Sequence, residues 1–248
     1  MLTPYIEQFG QGEPIVLLHG WAAHSGIWQP IATDLARDYQ VTLVDLPGFG
    51  RSNLADQPFA LNTVLAAIDR VVPANATWVG WSLGGLIGLQ KAIIAPNSLK
   101  QLITVATSPS FMERDDWPGM SREWVATMTS ALILDYPAKI KRFLALQFHG
   151  VAQKQQLRDC ETILTTWPPQ PKALQEASDV LLSADFRKQL ATLACPTTML
   201  FGRLDAMVPV TITKQLPDTI RAMTFHDAAH IPFLTHPDVF LSQLRALL

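Results

Sequence analysis

Ser82 is the residue of this 248-residue chain whose surroundings most clearly suggest chemistry. It lies in the segment 79–85, whose sequence VGWSLGG contains the pattern Gly-x-Ser-x-Gly. An apolar run typical of a β-strand precedes it, and a run typical of a helix follows it. A serine on a sharp turn from strand to helix is held in a strained conformation with its hydroxyl exposed, and small flanking residues leave room for the turn. The sequence therefore predicts that Ser82 is a nucleophile.

A serine hydroxyl is a weak nucleophile, so a base and an orienting acid should lie elsewhere in the chain. After a turn of this kind, the acid usually comes next along the chain and the base follows it. Asp205 comes just after the apolar run 197–202, and His230 lies in the loop after a second strand-like run, 221–225. Ligands meet open α/β sheets at such carboxyl ends of strands. We therefore predict that His230 is the base and that Asp205 orients it.

Other residues could take these two roles. The alternatives for the acid are Asp179, Asp185 and Asp227, and those for the base are His226 and His236. His226 ends its predicted strand and His236 precedes Pro237 at a predicted helix start, so both are weaker candidates than His230.

Acyl transfer also needs two hydrogen-bond donors for the negative charge that develops on the carbonyl oxygen. One should be the backbone N–H of Leu83, after the nucleophile, and the other should come from the loop after an early strand. The apolar run 15–18 is that strand, and a loop glycine allows the Trp21 N–H to point into the site. In the same loop, we expect His19 to brace the backbone by hydrogen bonds, and His24 to be solvated or at the pocket rim.

The elements that would hold these residues alternate along the chain. Strand-like runs occur at 15–18, 41–44, 77–80, 101–106, 197–201 and 222–225, and they alternate with helix-like segments. This alternation predicts an α/β fold with a mostly parallel central sheet and helices on both faces. Only residues 5–9 suggest an N-terminal antiparallel strand, so we expect that edge of the sheet to be short.

Between residue 110 and about residue 184 the strand pattern disappears, and Trp, Pro, Met and Leu occur in segments of helical length. We interpret residues 110–184 as a helical cap inserted over the mouth of the site, and residues 1–109 and 185–248 as the core. Large apolar side chains of the cap could face a substrate, although packing against the core is their more common role. These are Phe111, Trp117, Trp124, Phe143, Leu146 and Trp167.

Composition limits the classes of protein that this chain could be. With 48% hydrophobic and 16% charged residues, it fits a compact soluble domain with an insertion. A net charge of −2 argues against nucleic-acid binding, no apolar run reaches the roughly 18 residues that span a bilayer, and residues 1–12 do not resemble a signal peptide. No metal-ligand spacing or dinucleotide fingerprint occurs, so we expect no metal and no cofactor. Two cysteines make no disulfide framework, and we expect a cytoplasmic monomer.

Several stretches resemble the α/β-hydrolase superfamily. They are His-Gly-Trp at 19–21, VDLPGFGRS at 44–52 and the glycine-flanked serine at 80–84. Other stretches are similar to one family within it, the biotin-pathway carboxylesterases. They are WVGWSLGGL at 78–86, Ser-Pro-x-Phe with Asp-Trp-Pro-Gly between 108 and 119, and RFLALQ at 142–147. The resemblance runs from residue 16 to about residue 237, and segment 142–147, which is no general hydrolase motif, carries most of the narrower assignment.

This resemblance implies an α/β-hydrolase fold and a serine carboxylesterase that hydrolyses the methyl ester of pimeloyl-[acyl-carrier protein]. It implies substrate contacts from Trp21, Ser82, Leu83, Phe143, Leu144, Ala145, Leu146, Gln147 and His230. It also implies that cationic cap residues receive the acidic carrier protein. Arg142 and Arg158 match arginines of the family, and Lys139 and Lys154 stand where the family has arginine. Lysine keeps the charge but loses the bidentate geometry of arginine, so tight pairing should weaken more than long-range attraction.

Three other functions stay open, because a fold does not determine a function. They are a general carboxylesterase for short soluble esters, a hydrolase or lyase of carbon–carbon bonds, and a small-molecule receptor that keeps the three residues. From the charges alone, the cap cluster could also be an ordinary solvated helix face. We define this cationic cluster as Lys139, Lys141, Arg142, Lys154 and Arg158.

Overall fold

A seven-stranded sheet forms the centre of the computed structural model, which describes residues 2–150 and 154–248. Its strands are Ile6–Phe9 (β1), Pro14–Leu18 (β2), Gln40–Val44 (β3), Ala76–Trp81 (β4), Leu99–Val105 (β5), Thr197–Gly202 (β6) and Arg221–Phe225 (β7). They lie in the order β1-β3-β2-β4-β5-β6-β7. The pair β1–β3 is antiparallel and the other five pairs are parallel. The predicted fold class and the short antiparallel N-terminal strand are therefore confirmed.

The helices of the described residues cover both faces of this sheet and the region above it. They are Gln29–Leu35 (α1), Leu61–Ile68 (α2), Leu83–Ile94 (α3), Arg122–Leu134 (α4), Tyr136–Gln147 (α5), Lys154–Thr166 (α6), Pro171–Ser183 (α7), Arg187–Leu190 (α8), Pro232–Thr235 (α9) and Pro237–Arg245 (α10). In the same described part of the chain, 3₁₀ turns span Ser25–Trp28, Pro96–Ser98 and Val210–Gln215. None of these helices is both long enough and apolar enough to cross a bilayer.

The central strands are apolar because helices cover the sheet on both faces. All six residues of β4 are buried, as are the last four of β2 and of β3. Continuous burial of this kind is typical of parallel strands in α/β proteins. Because the strands from β2 to β6 run parallel, the carboxyl ends of β2, β4 and β6 and the loops that follow them lie at one edge of the sheet.

Five helices of the described residues, α4 to α8, lie between β5 and β6 in the chain, and the first four of them fall within the segment where the sequence predicts helices. Helix α5 packs against both α4 and α6, and α4 packs against α7. Ser121 accepts a hydrogen bond from the N–H of Trp124 at the start of α4, and Asp135 accepts one from Ala138 at the start of α5. These side chains satisfy donors that the first turn of a helix leaves unpaired. The division into a core and a cap at residues 110 and 184 stays a prediction.

The start of the insertion contains β pairing that the sequence pattern did not indicate. Met112 pairs with Met120, and Arg114 pairs with Trp117, through isolated β-bridges. These bridges join single residues, and among the described residues no β-strand lies between Val105 and Thr197, which agrees with the sequence pattern. A pairing of one residue on each side leaves no alternation long enough to detect in a sequence.

Candidate active site

Ser82 connects the end of β4 to the start of α3 in a backbone conformation that non-glycine residues seldom adopt. Its φ is +54° and its ψ is −113°. Such a conformation costs on the order of 1–3 kcal/mol and persists only where the surroundings enforce it. The Ser82 N–H donates to the carbonyl of Val105 in β5 at 2.9 Å, which fixes the turn against the sheet.

The two glycines of the motif make this sharp turn possible. A Cβ atom on Gly80 would lie 2.5 Å from the backbone of Gly84, and a Cβ on Gly84 would lie 2.5 Å from the carbonyl oxygen of Leu18. No real side chain fits at such distances. The Gly-x-Ser-x-Gly pattern therefore reflects a close approach of α3 to both β4 and the end of β2.

Asp205 and His230 form a buried pair, as their positions after β6 and β7 predict. His230 Nδ1 lies 2.7 Å from Asp205 Oδ2, and the two residues are only 1% and 5% exposed. The other carboxylate oxygen, Oδ1, accepts hydrogen bonds from the backbone N–H groups of Met207 and Val208 at 2.8 and 3.0 Å. Because the carboxylate is held on both sides, Nδ1 carries the proton and Nε2 is the nitrogen that can accept another.

The loop that carries His230 is also fixed through its backbone. The His230 N–H donates to the carbonyl of Gln147, the last residue of α5, at 3.1 Å. The His230 carbonyl accepts a hydrogen bond from Trp81 Nε1 at 2.9 Å. The imidazole is therefore held between a cap helix and the strand that leads to Ser82.

The competing acids and bases lie in other environments. Asp179, Asp227 and His226 are exposed, and His236 Nδ1 hydrogen-bonds the hydroxyl of Thr235. Asp185 binds the guanidinium of Arg187, and these hydrogen bonds lower the pKa of its carboxyl. None of the five lines the cavity at Ser82. The structure thus brings the three residues of the preferred assignment together, and their catalytic roles stay predictions.

Ser82 and His230 face one enclosed, mostly apolar cavity. Its walls are Trp21, Trp81, Ser82, Phe111, Met120, Trp124, Val125, Phe143, Gln147, Leu181, Met207 and His230. The free space is about 10 Å³, which holds about one water molecule. Three wall residues, Met120, Trp124 and Met207, also line a neighbouring pocket of about 320 Å³ that opens to solvent. Those side chains separate the serine from the outside.

The cap segment 143–147 divides between three environments. Phe143 and Gln147 line the cavity, and Leu146 lines the outer pocket. Leu144 is buried in apolar packing and Ala145 is exposed. The side-chain oxygen Oε1 of Gln147 is buried without a hydrogen-bond partner among the described residues, so it is available to a group inside the cavity.

The structure adds wall residues that the sequence did not single out: Met120, Val125, Leu181 and Met207. Met207 lies two residues after Asp205, so its position in the same loop was a usable signal. The other three lie in or beside apolar cap segments, whose periodicity indicates burial but not what they are buried against. Two of the six large apolar cap side chains do not line the cavity or the outer pocket. Trp117 Nε1 donates to the Ser110 carbonyl at 2.9 Å, and Trp167 is 41% exposed.

His19 braces the loop after β2, as expected. Its Nδ1 donates to the Gly20 carbonyl at 2.8 Å, and its Nε2 accepts from the Leu46 N–H at 2.9 Å. Both bonds require the neutral imidazole, and complete burial lowers the pKa of His19 to about 4. The expectation that His24 is solvated or at a rim is wrong, because it is 1% exposed. Its Nε2 donates to the carbonyl of Ile163 in α6, since the cap covers this loop.

The burial of neutral His19 should make the protein less stable in mild acid. The unfolded chain takes up a proton near pH 6.5, whereas the folded chain resists it until about pH 4. Stability is therefore lost as the pH falls from 6.5 toward 4, by about 2 kcal/mol between pH 7 and pH 5 from this group alone.

Urea unfolding at several pH values measures this effect. The matched control is His19→Asn, which removes the titrating group. The variant should be less stable at pH 7, but its unfolding free energy should depend less on pH, by about 2 kcal/mol over the same interval. Parallel pH profiles for the two proteins would show that His19 does not cause the acid sensitivity.

Four cations of the cap cluster extend into solvent from α5 and α6. Lys139, Arg142, Lys154 and Arg158 are exposed, and no carboxylate of the described residues lies within 4.0 Å of them. Lys141 is the exception, because its Nζ reaches Glu161 at 4.0 Å. Four unpaired charges of one sign on two packed helices form a surface that attracts anions.

Among the described residues, no group of three or more His, Cys, Asp or Glu side chains is placed to hold a metal ion. Cys160 and Cys195 are buried and free. Burial raises the pKa of the Cys160 thiol to about 12, so it is not a second nucleophile.

Comparison with known proteins identifies the family of this chain. Residues 15–243 match the model of the alpha/beta hydrolase family, which is most of the chain. The chain belongs to the alpha/beta hydrolase family. A solved structure, an esterase from Exiguobacterium antarcticum, superposes on this hydrolase with a TM-score of 0.91 over 99% of the chain and 95% of the esterase, at 23% identity. That likeness shows the fold alone.

Relatives closer in sequence carry a narrower name. This α/β-hydrolase is 38% identical over 242 residues to a pimeloyl-[acyl-carrier protein] methyl ester esterase of Aeromonas hydrophila, with 95% of each chain covered. It is 39% identical over 250 residues to an esterase of the same name from Klebsiella pneumoniae, with 97% of this chain and 96% of the relative covered. The family resemblance inferred from the sequence motifs is therefore confirmed.

Proposed function

We propose that this α/β-hydrolase is a serine carboxylesterase that hydrolyses the methyl ester of pimeloyl-[acyl-carrier protein] and releases methanol. The observation that carries the reaction class is the Asp205–His230 pair, whose imidazole faces the same closed cavity as Ser82. The relatives named for this reaction, at 38% and 39% identity over nearly the whole chain, support the substrate. The proposal also includes a cytoplasmic location, which the two free cysteines support, and a monomeric state.

The reaction proceeds by two acyl transfers. His230 Nε2 takes the Ser82 proton while the hydroxyl oxygen attacks the ester carbonyl, and Asp205 stabilises the imidazolium that forms. The N–H groups of Trp21 and Leu83 stabilise the oxyanion, and Leu83 begins α3, whose N-terminus favours negative charge. His230 then protonates the departing methoxide. Water attacks the acyl-enzyme by the same route, releases the acid and restores Ser82.

The cavity suits an acyl chain more than a polar substrate. Phe111, Trp124, Phe143 and Leu181 supply apolar walls, and Gln147 adds one amide that can fix orientation. With room for about one water molecule, the closed cavity cannot hold a pimeloyl chain. The substrate must displace the side chains that separate the cavity from the outer pocket, such as Met120 and Met207.

The cap cluster provides the contact for the carrier protein in this proposal. An acyl-carrier protein is acidic, and exposed cations on α5 and α6 would increase its encounter rate by long-range attraction. Helix α5 also carries Leu146 at the outer pocket, so the cationic surface and that opening share one helix.

Reversing Arg142 and Arg158 to Glu should reduce kcat/KM for the carrier-linked ester about ten-fold or more at low salt. A small free ester should be hydrolysed at the wild-type rate, because it has no charge to attract. Added salt should reduce the wild-type advantage, since exposed charges are screened beyond about 8 Å near physiological ionic strength.

The matched control is the double reversal of Lys188 and Lys214, which are also exposed but lie outside the cap cluster and change the net charge equally. Both substrates should be measured with all three proteins across a salt series. An equal loss on the two esters would mean that the cap was damaged. A loss in the control as large as in the cluster variant would mean that net charge, not a carrier surface, controls the rate.

Three assays separate this proposal from its alternatives. Turnover of p-nitrophenyl esters excludes a receptor without catalysis. Preference for the carrier-linked ester over free methyl esters excludes a general short-chain esterase. Cleavage of a vinylogous diketone without ester hydrolysis would indicate a carbon–carbon bond hydrolase on the same fold.

A further inference from the structure

The loop that carries the predicted oxyanion donor Trp21 is bound to three cap helices. The Tyr136 hydroxyl, in α5, donates to the Ala22 carbonyl at 2.7 Å. Trp21 Nε1 donates to the carbonyl of Leu174, in α7, at 3.0 Å. His24 Nε2 donates to a carbonyl of α6 at 2.9 Å. The conformation of this loop therefore depends on where the cap lies.

Ala22 adopts a conformation that its own side chain disfavours. Its φ is +59°, and it lies inside a turn that the Ala23 N–H closes on the Gly20 carbonyl at 3.3 Å. A turn with positive φ at its third residue normally has glycine or asparagine there. An alanine in the left-handed region stays in place only because its surroundings hold it. The hydrogen bond from Tyr136 holds the carbonyl of this same residue.

Tyr136 is well suited to this role. It is the first residue of α5 and is only 6% exposed, and burial raises the pKa of its hydroxyl far above the usual value, so it stays a donor. The last residue of α5, Gln147, accepts the N–H of His230. One helix therefore contacts the oxyanion loop at its start and the loop of the predicted base at its end.

We propose that Tyr136 is a positioning residue for the oxyanion hole. By holding the Ala22 carbonyl, it keeps the turn in the conformation that directs the Trp21 N–H at the reacting carbonyl oxygen. This inference rests on the proposed function. In a purely structural role, the Tyr136 hydroxyl would only attach the cap to the core. In the positioning role, it stabilises the transition state and has little effect on substrate binding.

Tyr136→Phe separates these two roles with a small p-nitrophenyl ester as substrate. The positioning role predicts a five- to twenty-fold lower kcat with KM within two-fold of the wild type, since an oxyanion donor acts mainly on the transition state. An aryl trifluoromethyl ketone, which forms a tetrahedral adduct with the serine, should bind more weakly by a similar factor. A carboxylate product, which forms no such adduct, should inhibit both proteins equally.

Two further variants complete the experiment. Glu176→Ala removes another hydrogen bond between the cap and the core, from the Phe59 N–H at 2.7 Å, and should lower Tm without changing kcat. Adding Ala22→Gly to Tyr136→Phe should recover most of the lost kcat, because glycine accepts positive φ without a steric cost.

Unchanged kcat and unchanged ketone affinity in Tyr136→Phe would overturn the inference. An equal loss of kcat in Glu176→Ala would also overturn it, because any loosened cap would then suffice. Wild-type turnover of the ester is the separate check on the proposed function: its absence would overturn both, whereas turnover with an unaffected Tyr136→Phe would overturn this inference alone.

Discussion

Replacing Ser82 by alanine should lower esterase activity by about 10³-fold or more and leave the fold intact. The hydroxyl oxygen is the atom that forms the acyl-enzyme, so no neighbouring group can replace it. Alanine keeps the Cβ atom at the φ of +54°, and the change therefore adds no new clash at the turn. Circular dichroism and Tm should stay close to those of the wild type.

A serine-directed phosphonate gives a second readout for this prediction. Mass spectrometry should find the label on Ser82 alone, and Ser82→Ala should stay unlabelled. The matched control is Ser178→Ala, another buried serine, whose hydroxyl bonds a carbonyl within α7 away from the cavity. Labelling at another residue, or near-normal turnover of Ser82→Ala, would contradict the assignment of the nucleophile.

Removal of the base should be about as damaging as removal of the nucleophile. His230→Ala should lower kcat by about 10³-fold or more, and the double variant with Ser82→Ala should be barely worse, because the residues act as one unit. Additive losses would mean that the two side chains act in separate steps.

Asp205→Asn should also reduce kcat severely, on the order of 10³-fold or more. In the native pair, Oδ2 accepts from His230 Nδ1 and Oδ1 accepts two backbone N–H groups. An amide cannot accept on both sides. Because the two backbone N–H groups can only donate, the amide oxygen faces them and the NH₂ group faces His230 Nδ1. The imidazole then loses the tautomer in which Nε2 accepts a proton.

Two control variants test whether Asp205 alone has this role. Asp185→Asn and Asp227→Asn change carboxylates that the sequence left as alternatives and that lie outside the cavity, and both should keep near wild-type kcat. If Asp205→Asn keeps most of its activity while one of these loses it, the orienting acid is misassigned.

The sequence predicted the parts of the site that depend on local geometry. The turn at Ser82 was predictable from its two flanking glycines. A Cβ atom at Gly80 or Gly84 would clash with neighbouring backbone, so only glycine allows strand and helix to approach this closely. Asp205 and His230 were identifiable because each follows an apolar strand, and parallel strands present their carboxyl ends at one edge of the sheet.

Helical periodicity also carried information about the cap segment. Residues four apart share a helix face, so Phe143 and Gln147 reach the cavity together while Ala145 faces solvent. Five consecutive residues of a helix cannot all face one substrate, although the family resemblance groups them.

The remaining features depend on contacts between distant segments. His24 is buried because α6 lies over it, and no local pattern indicates that contact. The left-handed backbone of Ala22 is equally invisible, since alanine has no preference for it. Met120 and Met207 come together only when the cap and the loop after β6 are packed.

In our proposal, this α/β-hydrolase uses Ser82 to hydrolyse a carrier-linked methyl ester. The most direct measurement incubates the purified protein with the methyl ester of pimeloyl-[acyl-carrier protein] and follows the carrier by mass spectrometry, with Ser82→Ala in parallel. We expect the wild type to convert the ester to the free acid with the thioester to the carrier intact, and Ser82→Ala to leave it unchanged. An unchanged ester with the wild type, or conversion by Ser82→Ala, would contradict the account.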